Sequence, residues 1–397
     1  MKTFDMIYKY FLNTKEQRNK KFIKMNGLIF ECEDSEETFW KLLNDYEPTS
    51  VQFEEEQNNA YSIVHLRDDR LFNDISEITN RTNTSYKLLE TYKDGYFIQK
   101  FEEGDEKIFI RDEEFAICCK HNQYFVITSH KVKNRDTYPL RIIREIIFRE
   151  SENDGFLMIH GAAVSYKGKG AIICGDKSKG KTTLLLSYLF SGCDFVANDR
   201  ALIKKGEINY QLRGFPLAIR VGFGTANKIE KLRAAVTGYS WARPQVKEIE
   251  QITNLNFDAY GNFGSSKKLE LVPRELKELF GFRTGHESKL SAVLFPEINL
   301  ATKGINISKL KECESLDILK NQCMTPNDES WLNPWVIERK DNNTYIESYV
   351  EKTLRNMVKE LPMLKVVYGP DLLETAQKEP SKALEYLLNS FNYVSAK

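Results

Sequence analysis

The sequence predicts an α/β core preceded by a strand-rich α+β domain, on three observations. Short apolar or alternating runs crowd the first 135 residues. The pattern turns to helical spacing near Pro139. Beyond it, a strand, a glycine-rich loop, an apolar helix and another strand follow in order, which is a βαβ unit with a parallel component. A chain of 397 residues suits two domains, assigned as 1–135 and 136–397.

The first domain takes its strands from Gly27–Cys32, Tyr61–Leu66, Lys107–Ile110 and Tyr124–Thr128. Turn or charged clusters separate them (Asp94-Gly95, Glu103-Gly104-Asp105), so antiparallel hairpins are expected. The acidic runs at Glu54-Glu55-Glu56 and Glu102–Glu106 read as solvated loop tips. Leu140, Ile143, Ile147 and Phe148 recur on one helical face as far as Asn153-Asp154-Gly155. Phe156–Val164 is the next strand, Lys167-Gly168-Lys169-Gly170 a turn, and Ala171–Cys174 a second strand. A helix over Thr182–Phe190 stops at Gly192, and Phe195-Val196-Ala197 is a buried strand ending at Asn198-Asp199. Phe215–Val221, Lys267–Pro273 and Leu290–Phe295 are further strands of this core, and 345–360 and 370–390 are amphipathic helices. The polar stretch 237–266, with Trp241 and Arg243, is a candidate flap or a plain surface loop.

Composition removes several function classes. Lys+Arg and Asp+Glu are equal at 57 each, so no global field draws nucleic acid or an anionic membrane. No apolar run approaches membrane-spanning length, and the N-terminus lacks the apolar stretch of an export signal. Seven cysteines without a Cys-x-x-Cys pair argue against zinc and for reduced, buried thiols. A cytoplasmic protein is the expectation, with its assembly state open between monomer and homo-oligomer.

Gly175-Asp176-Lys177-Ser178-Lys179-Gly180-Lys181-Thr182 fits the Walker-type phosphate loop G-x-x-x-x-G-K-[ST] in full. Glycines at both ends let successive N–H groups curl toward a phosphate, and the helix that follows adds the positive end of its dipole. Lys181 is placed to reach β- and γ-phosphates, the Thr182 hydroxyl to ligate Mg²⁺, and Thr183 to line the same site. Asp199 ends a buried strand at the sheet edge where α/β proteins bind ligands, placed to hold the metal or take a proton. His160 precedes Gly161 on a strand that should adjoin the loop. Arg213, Arg220 and Lys268 are candidates to neutralise transferring charge. A transporter-type ATPase would need a Leu-Ser-Gly-Gly-Gln segment, and none is present. The guanine-reading Asn-Lys-x-Asp is missed at Asn227-Lys228-Ile229-Glu230.

His160-Gly161, the phosphate loop and Asn198-Asp199-Arg200 together resemble the HPr kinase/phosphorylase superfamily. Its members carry a His-Gly strand, a Gly-Asp-Ser-Gly-x-Gly-Lys-Ser loop and an Asp-Asp pair after the following helix. The resemblance covers residues 155–222. It implies a P-loop core of the HPr kinase/PEP carboxykinase type, ATP, Mg²⁺ and phosphoryl transfer to a serine hydroxyl. It also implies that His160 stands beside the phosphates, that Asp199 accepts the hydroxyl proton, and that Gln211-Leu212-Arg213-Gly214 matches a Glu-x-Arg-Gly signature whose glutamate ligates metal. Asn198 replaces the first acid of the pair and Gln211 the signature glutamate, which leaves reverse phosphorolysis without its acids. Related kinases modify peptides of natural-product clusters or free serine, so a peptide or protein acceptor recognised by residues 1–135 is the expectation. The other readings are a kinase of a small molecule, and a nucleotide-gated binding protein that transfers nothing.

Overall fold

The computed structural model describes residues 3–14, 18–34, 36–46, 51–53, 60–81, 86–90, 97–111, 114–132, 137–215, 217–235, 239–242, 263, 268–327 and 336–392. It is a mixed α/β structure with several sheets, in two compact units. The first comprises Met1–Asn44, Thr49–Asp154 and Pro326–Asn342; the second Asp45–Pro48, Gly155–Thr325 and Asn343–Lys397.

In the first unit, elements run α1 (Thr3–Asn13), β1 (Asn19–Met25), β2 (Leu28–Asp34), α2 (Glu37–Tyr46), β3 (Val51–Phe53), β4 (Tyr61–Arg67) and α3 (Asp69–Arg81). They continue with β5 (Lys87–Glu90), β6 (Phe97–Glu103), β7 (Glu106–Arg111), β8 (Phe115–Lys120), β9 (Gln123–Thr128) and α4 (Thr137–Asn153). The strands make one nine-stranded sheet in the order β3-β1-β2-β4-β9-β8-β7-β6-β5. Hairpins account for much of it. Asn26-Gly27, both at positive φ, joins β1 to β2 in the two-residue turn that suits strand twist. At the centre, however, β2, β4 and β9 are parallel neighbours. Parallel neighbours need crossovers, and the segments carrying α2 and α3 supply them. Helices α1 and α3 bury Phe4, Ile7, Leu71, Phe72 and Ile75 against Val64, Leu66, Ile108, Phe125 and Ile127. The expected turn at Asp94-Gly95 and the acidic run at 54–56 lie outside the described residues.

The unit boundary falls after Asp154, not at residue 135, and the cause is α4. Its Tyr138 ring packs tilted against Phe115, centroids 4.7 Å apart, and Glu152 at its end pairs with Arg339 at 3.2 Å. Asn153 Nδ2 donates to the Glu338 carbonyl at 3.0 Å, so the segment around Glu338-Arg339 belongs to this unit too.

The second unit runs β10 (Leu157–Tyr166), β11 (Lys169–Cys174), α5 (Lys181–Phe190), β12 (Asp194–Ala197), β13 (Arg200–Lys205), β14 (Tyr210–Gly214), β15 (Ile219–Gly222), α6 (Phe223–Asn227) and α7 (Glu230–Ala235). It continues with β16 (Lys268–Leu271), α8 (Pro273–Phe280), β17 (Glu287–Ile298), β18 (Ile305–Lys309), α9 (Glu312–Gln322), α10 (Asn343–Glu360), β19 (Met363–Tyr368), α11 (Asp371–Lys378) and α12 (Pro380–Phe391). Pro380 cannot extend the preceding helix, which splits the expected 370–390 stretch in two.

The main sheet follows the order β11-β10-β13-β14-β17-β19-β18, with β12 also on β10. Because β11 pairs with both β10 and β17, strands β10, β11, β17, β14 and β13 form a closed circuit of pairings. The parallel component lies in β11–β17 and β17–β19. Side chains alternate between two apolar layers. Ala162, Val164, Ala171 and Ile173 face α5, α11 and α12, whereas Leu157, Ile159, Ile172 and Cys174 face α9 and α10. The expected Phe215–Val221 strand is displaced: Ile219–Gly222 pairs with β16 in a separate two-stranded sheet. Pro216 within that stretch lies outside the described residues.

Candidate functional site

The expected phosphate loop leaves the sheet where buried β11 ends at Cys174 and reaches the first turn of α5 at Lys181. Three residues take left-handed or otherwise positive φ: Gly175 at 148°, Ser178 at 68° and Gly180 at 95°. Gly180 is required twice over. Its backbone is left-handed, and a Cβ there would collide with the Tyr368 hydroxyl and stand 3.0 Å from Ile298 Cβ. The Tyr368 hydroxyl donates to the Gly180 carbonyl at 2.6 Å, locking the loop to the end of β19. Ile298 N–H donates to the Lys179 carbonyl at 3.2 Å, and Gln322 Nε2 to Asp176 Oδ1 at 3.3 Å. Asp176, Lys177, Ser178 and Lys179 are exposed.

Lys181 folds back over this loop. Its Nζ donates to the Gly175 carbonyl at 2.5 Å and to the Asp176 carbonyl at 3.0 Å. Burial pushes its pKa below that of an ordinary lysine; the Cys174, Asp176 and Asp199 side chains oppose that shift, and the Lys268 ammonium adds to it. Thr182 is half-buried on the first turn of α5. Thr183 does not line the site: it is buried, and its hydroxyl meets that of Thr225 on α6 at 2.9 Å.

β12 and β13 pair with the same edge of β10, Ala197 opposite Ala163 and Arg200 opposite His160. Asn198 and Asp199 interrupt that line. Asp199 takes φ 73°, rare outside glycine but tolerated by aspartate, and its carbonyl accepts from Gly161 N–H at 3.3 Å. The interruption sets its carboxylate between an imidazole and a guanidinium. His160 Nε2 is 3.5 Å from Oδ1, and Arg200 Nη1 is 3.6 Å from Oδ2. The His160 and Asp199 side chains keep 35% and 47% of their exposure, whereas Arg200 keeps 5%. Asn198 Nδ2 instead donates to the Ala218 carbonyl at 3.0 Å, a backbone tie.

Two expected residues stand apart. Gln211 pairs in register with Lys204, five residues along β13 from Asp199, or about 16 Å at strand rise. It cannot share a metal with Asp199. Arg213 pairs with Leu202, about 10 Å along the strand from Asp199, where it bonds Glu287 at 3.1 Å and lies over the Phe156 ring. Arg220 is likewise held by Glu270 at 3.3 Å. Trp241 packs on the core that contains α5, and Arg243, with most of the expected flap, lies outside the described residues.

Sequence reasoning missed Arg200 behind the acid, Tyr368 against Gly180, and Gln322 against Asp176. The last two come from distant elements, and no local pattern marks them. Among the described residues, no group of three or more His, Cys, Asp or Glu is placed to hold a metal ion. No helix among them is long and apolar enough to cross a membrane.

No family model matches the chain, and no curated protein is similar to it in sequence. Among solved structures, that of the Hpr(Ser) kinase/phosphatase from Coxiella burnetii is similar across 57% of this chain and 98% of that one, at 10% identity and a TM-score of 0.24.

Proposed function

We propose that the chain is an ATP- and Mg²⁺-dependent kinase that phosphorylates a hydroxyl, a serine of a peptide or protein. The observation that carries this reading is the convergence at the phosphate loop. There Lys181 folds back over a loop whose first strand ends opposite Gly161, the Gly161 N–H donates to the Asp199 carbonyl at 3.3 Å, and Asp199 has His160 3.5 Å away. A bound triphosphate gives the Lys181 ammonium a better partner than the two loop carbonyls it now holds. The loop N–H groups and the N-terminus of α5 take the rest of the phosphate charge.

The Thr182 hydroxyl and the Asp199 carboxylate suit Mg²⁺, a hard ion that takes few protein oxygens and fills its shell with phosphate and water. When bound, the ion neutralises charge on the phosphates. In the transfer, the acceptor oxygen bonds to the γ-phosphorus, the bond to the bridging oxygen of ADP breaks, and the hydroxyl proton passes to Asp199. His160 donates toward the γ-phosphate, and Arg200 holds the Asp199 carboxylate from behind. The first unit is the candidate for recognising the peptide or protein.

A second reading, a nucleotide-gated binding protein, draws on Asn198. Where a second acid would stand, this amide bonds a backbone carbonyl and offers no base. The experiment is to incubate purified protein with γ-labelled ATP, Mg²⁺ and extract from its native host, beside Asp199→Asn and Lys181→Ala. Label in a peptide or protein with wild type alone supports the kinase, and label in a small metabolite changes the acceptor class. Nucleotide binding without transfer or phosphate release supports the second reading.

A further inference from the structure

The strand leading into the phosphate loop ends on a buried thiol, Cys174, opposite Gly161. The loop then turns out of the sheet, and another chain segment takes its line along β10. Cys323, just past α9, makes an antiparallel bridge with Ile159, and Met324 N–H donates to the Met158 carbonyl at 2.8 Å. The other edge of β10 is occupied here by β13, from Leu157 opposite Ile203 to His160 opposite Arg200. Cys174 and Cys323 therefore follow one another along the same edge. Their partners Gly161 and Ile159 are two residues apart and share a face, so the two thiols share it as well. Two strand steps put their Cα atoms about 6.6 Å apart. Disulfides span Cα separations up to about 6.8 Å but need Cβ atoms about 3.5–4.5 Å apart, so closing this pair requires the Cys323 end to move in by about 2 Å. Both side chains pack in the same apolar layer, Cys174 fully buried and Cys323 partly so.

We propose that Cys174 and Cys323 are an oxidisable dithiol at the foot of the phosphate loop, closed to a disulfide by hydrogen peroxide or a related peroxide and reopened by thiols. The partly exposed Cys323 thiolate attacks one peroxide oxygen; the O–O bond breaks and leaves a sulfenic acid, with the first water released. The Cys174 sulfur then bonds to Cys323 Sγ and displaces the sulfenic oxygen as the second water. Two thiols lose two protons and two electrons, and the peroxide is reduced. The order follows from burial, which pushes the Cys174 thiol up to about 12 and keeps its thiolate scarce, while the neighbouring Lys181 ammonium opposes that shift and favours the second step.

Closing the bond draws the end of α9 inward, and Gln322 there already holds Asp176 of the loop. Oxidation thereby ties α9 to the loop at its base and hinders the rearrangement that a phosphate requires. This consequence rests on the proposed nucleotide site; the bond itself does not.

The test treats the reduced full chain with hydrogen peroxide, alkylates the remaining thiols and maps the peptides by mass spectrometry. A Cys174–Cys323 cross-linked pair is expected, with affinity for a fluorescent ADP analogue about tenfold lower and restored by dithiothreitol. Cys323→Ser should remove both effects, and substitution of the exposed Cys313 by Ser neither. Oxidation that accumulates on Cys313 without the cross-link overturns the dithiol, and a cross-linked chain that binds ADP as the reduced one does overturns its effect on the loop. A reduced chain that binds no ADP overturns the proposed function alone, and the cross-linked peptide still decides the dithiol.

Discussion

Among the described residues, histidine, aspartate and arginine meet at two places, in arrangements that suit opposite purposes. In the first unit, His65 Nδ1 lies 2.8 Å from Asp34 Oδ2 and its Nε2 3.0 Å from the Thr128 hydroxyl. Arg67 closes on both oxygens of the same carboxylate. His65 and Asp34 keep 1% and 0% of their side-chain exposure, so water has no access. In the second unit, His160, Asp199 and Arg200 stand at 3.5 and 3.6 Å, and two of the three are open to solvent. A Thr-His-Asp line alone would suggest nucleophilic catalysis, yet the cluster that contains it is sealed and bonded throughout. The looser one lies beside the glycine-rich loop that the sequence motif marks for phosphate. Tight mutual bonding in a dry interior serves the fold, and a charged group left at a distance on an accessible surface is available to a ligand.

Exchanging the acids should separate the two most sharply. Asp199→Asn should lower phosphoryl transfer by about two to four orders of magnitude. It should change stability by no more than about 0.5 kcal/mol, because asparagine also tolerates the left-handed backbone and the site is open. Transfer in the labelled-ATP assay, read beside a thermal melt, checks both halves, and unchanged turnover would remove Asp199 from its role. Asp34→Ala should act in reverse, costing about 3–5 kcal/mol by leaving Arg67 buried without this carboxylate. Denaturant unfolding measures it, and a cost below about 1 kcal/mol would mean that water enters the cluster.

The same substitution at the two histidines sharpens the contrast at smaller scale. His65→Asn should cost about 1–3 kcal/mol, since Asp34 and Thr128 each lose a buried partner. His160→Asn should leave the melt nearly unchanged and slow transfer. If both variants melt alike, burial is not what distinguishes the clusters.

Local pattern made much of this legible. Glycines and alternation located β2, β4, β7, β9, β10 and β11, and the glycine-rich loop with the helix that follows it was readable as backbone. The parallel centre of the nine-stranded sheet was not, because a strand buried on both faces shows no partner order in its own sequence. Gln211 and Arg213 went astray for a related reason. A four-residue likeness says nothing of strand register, and the register sets Gln211 opposite Lys204, away from Asp199. Thr183 was misread through helical phase, one step from Thr182 and turned to Thr225 in the core. The supporting contacts come from Gln322 and Tyr368, 140 and 186 residues past the end of the loop, where only the fold brings them to it.

The smallest expected effect is a dependence on acid that belongs to the closed cluster. Burial alone would raise the Asp34 pKa, but the hydrogen bonds and charges of His65 and Arg67 outweigh it and hold the carboxyl below the usual aspartate value. A group depressed in the folded state stabilises it above the unfolded pKa, about 3.9 for aspartate. That contribution is lost as pH falls from there through the lower folded value. Local opening of β4 is the sensitive readout, because Val64 and Leu66 flank His65 in a buried strand. Hydrogen-exchange protection of these amides should hold between pH 5 and pH 7 by about the same free energy. It should then decline as the solution is taken below the ordinary aspartate value, while Asp34→Asn, weaker throughout, should lack that decline. An equal decline in both would assign the acid sensitivity to other carboxylates and leave the His65–Asp34–Arg67 network without a part in it.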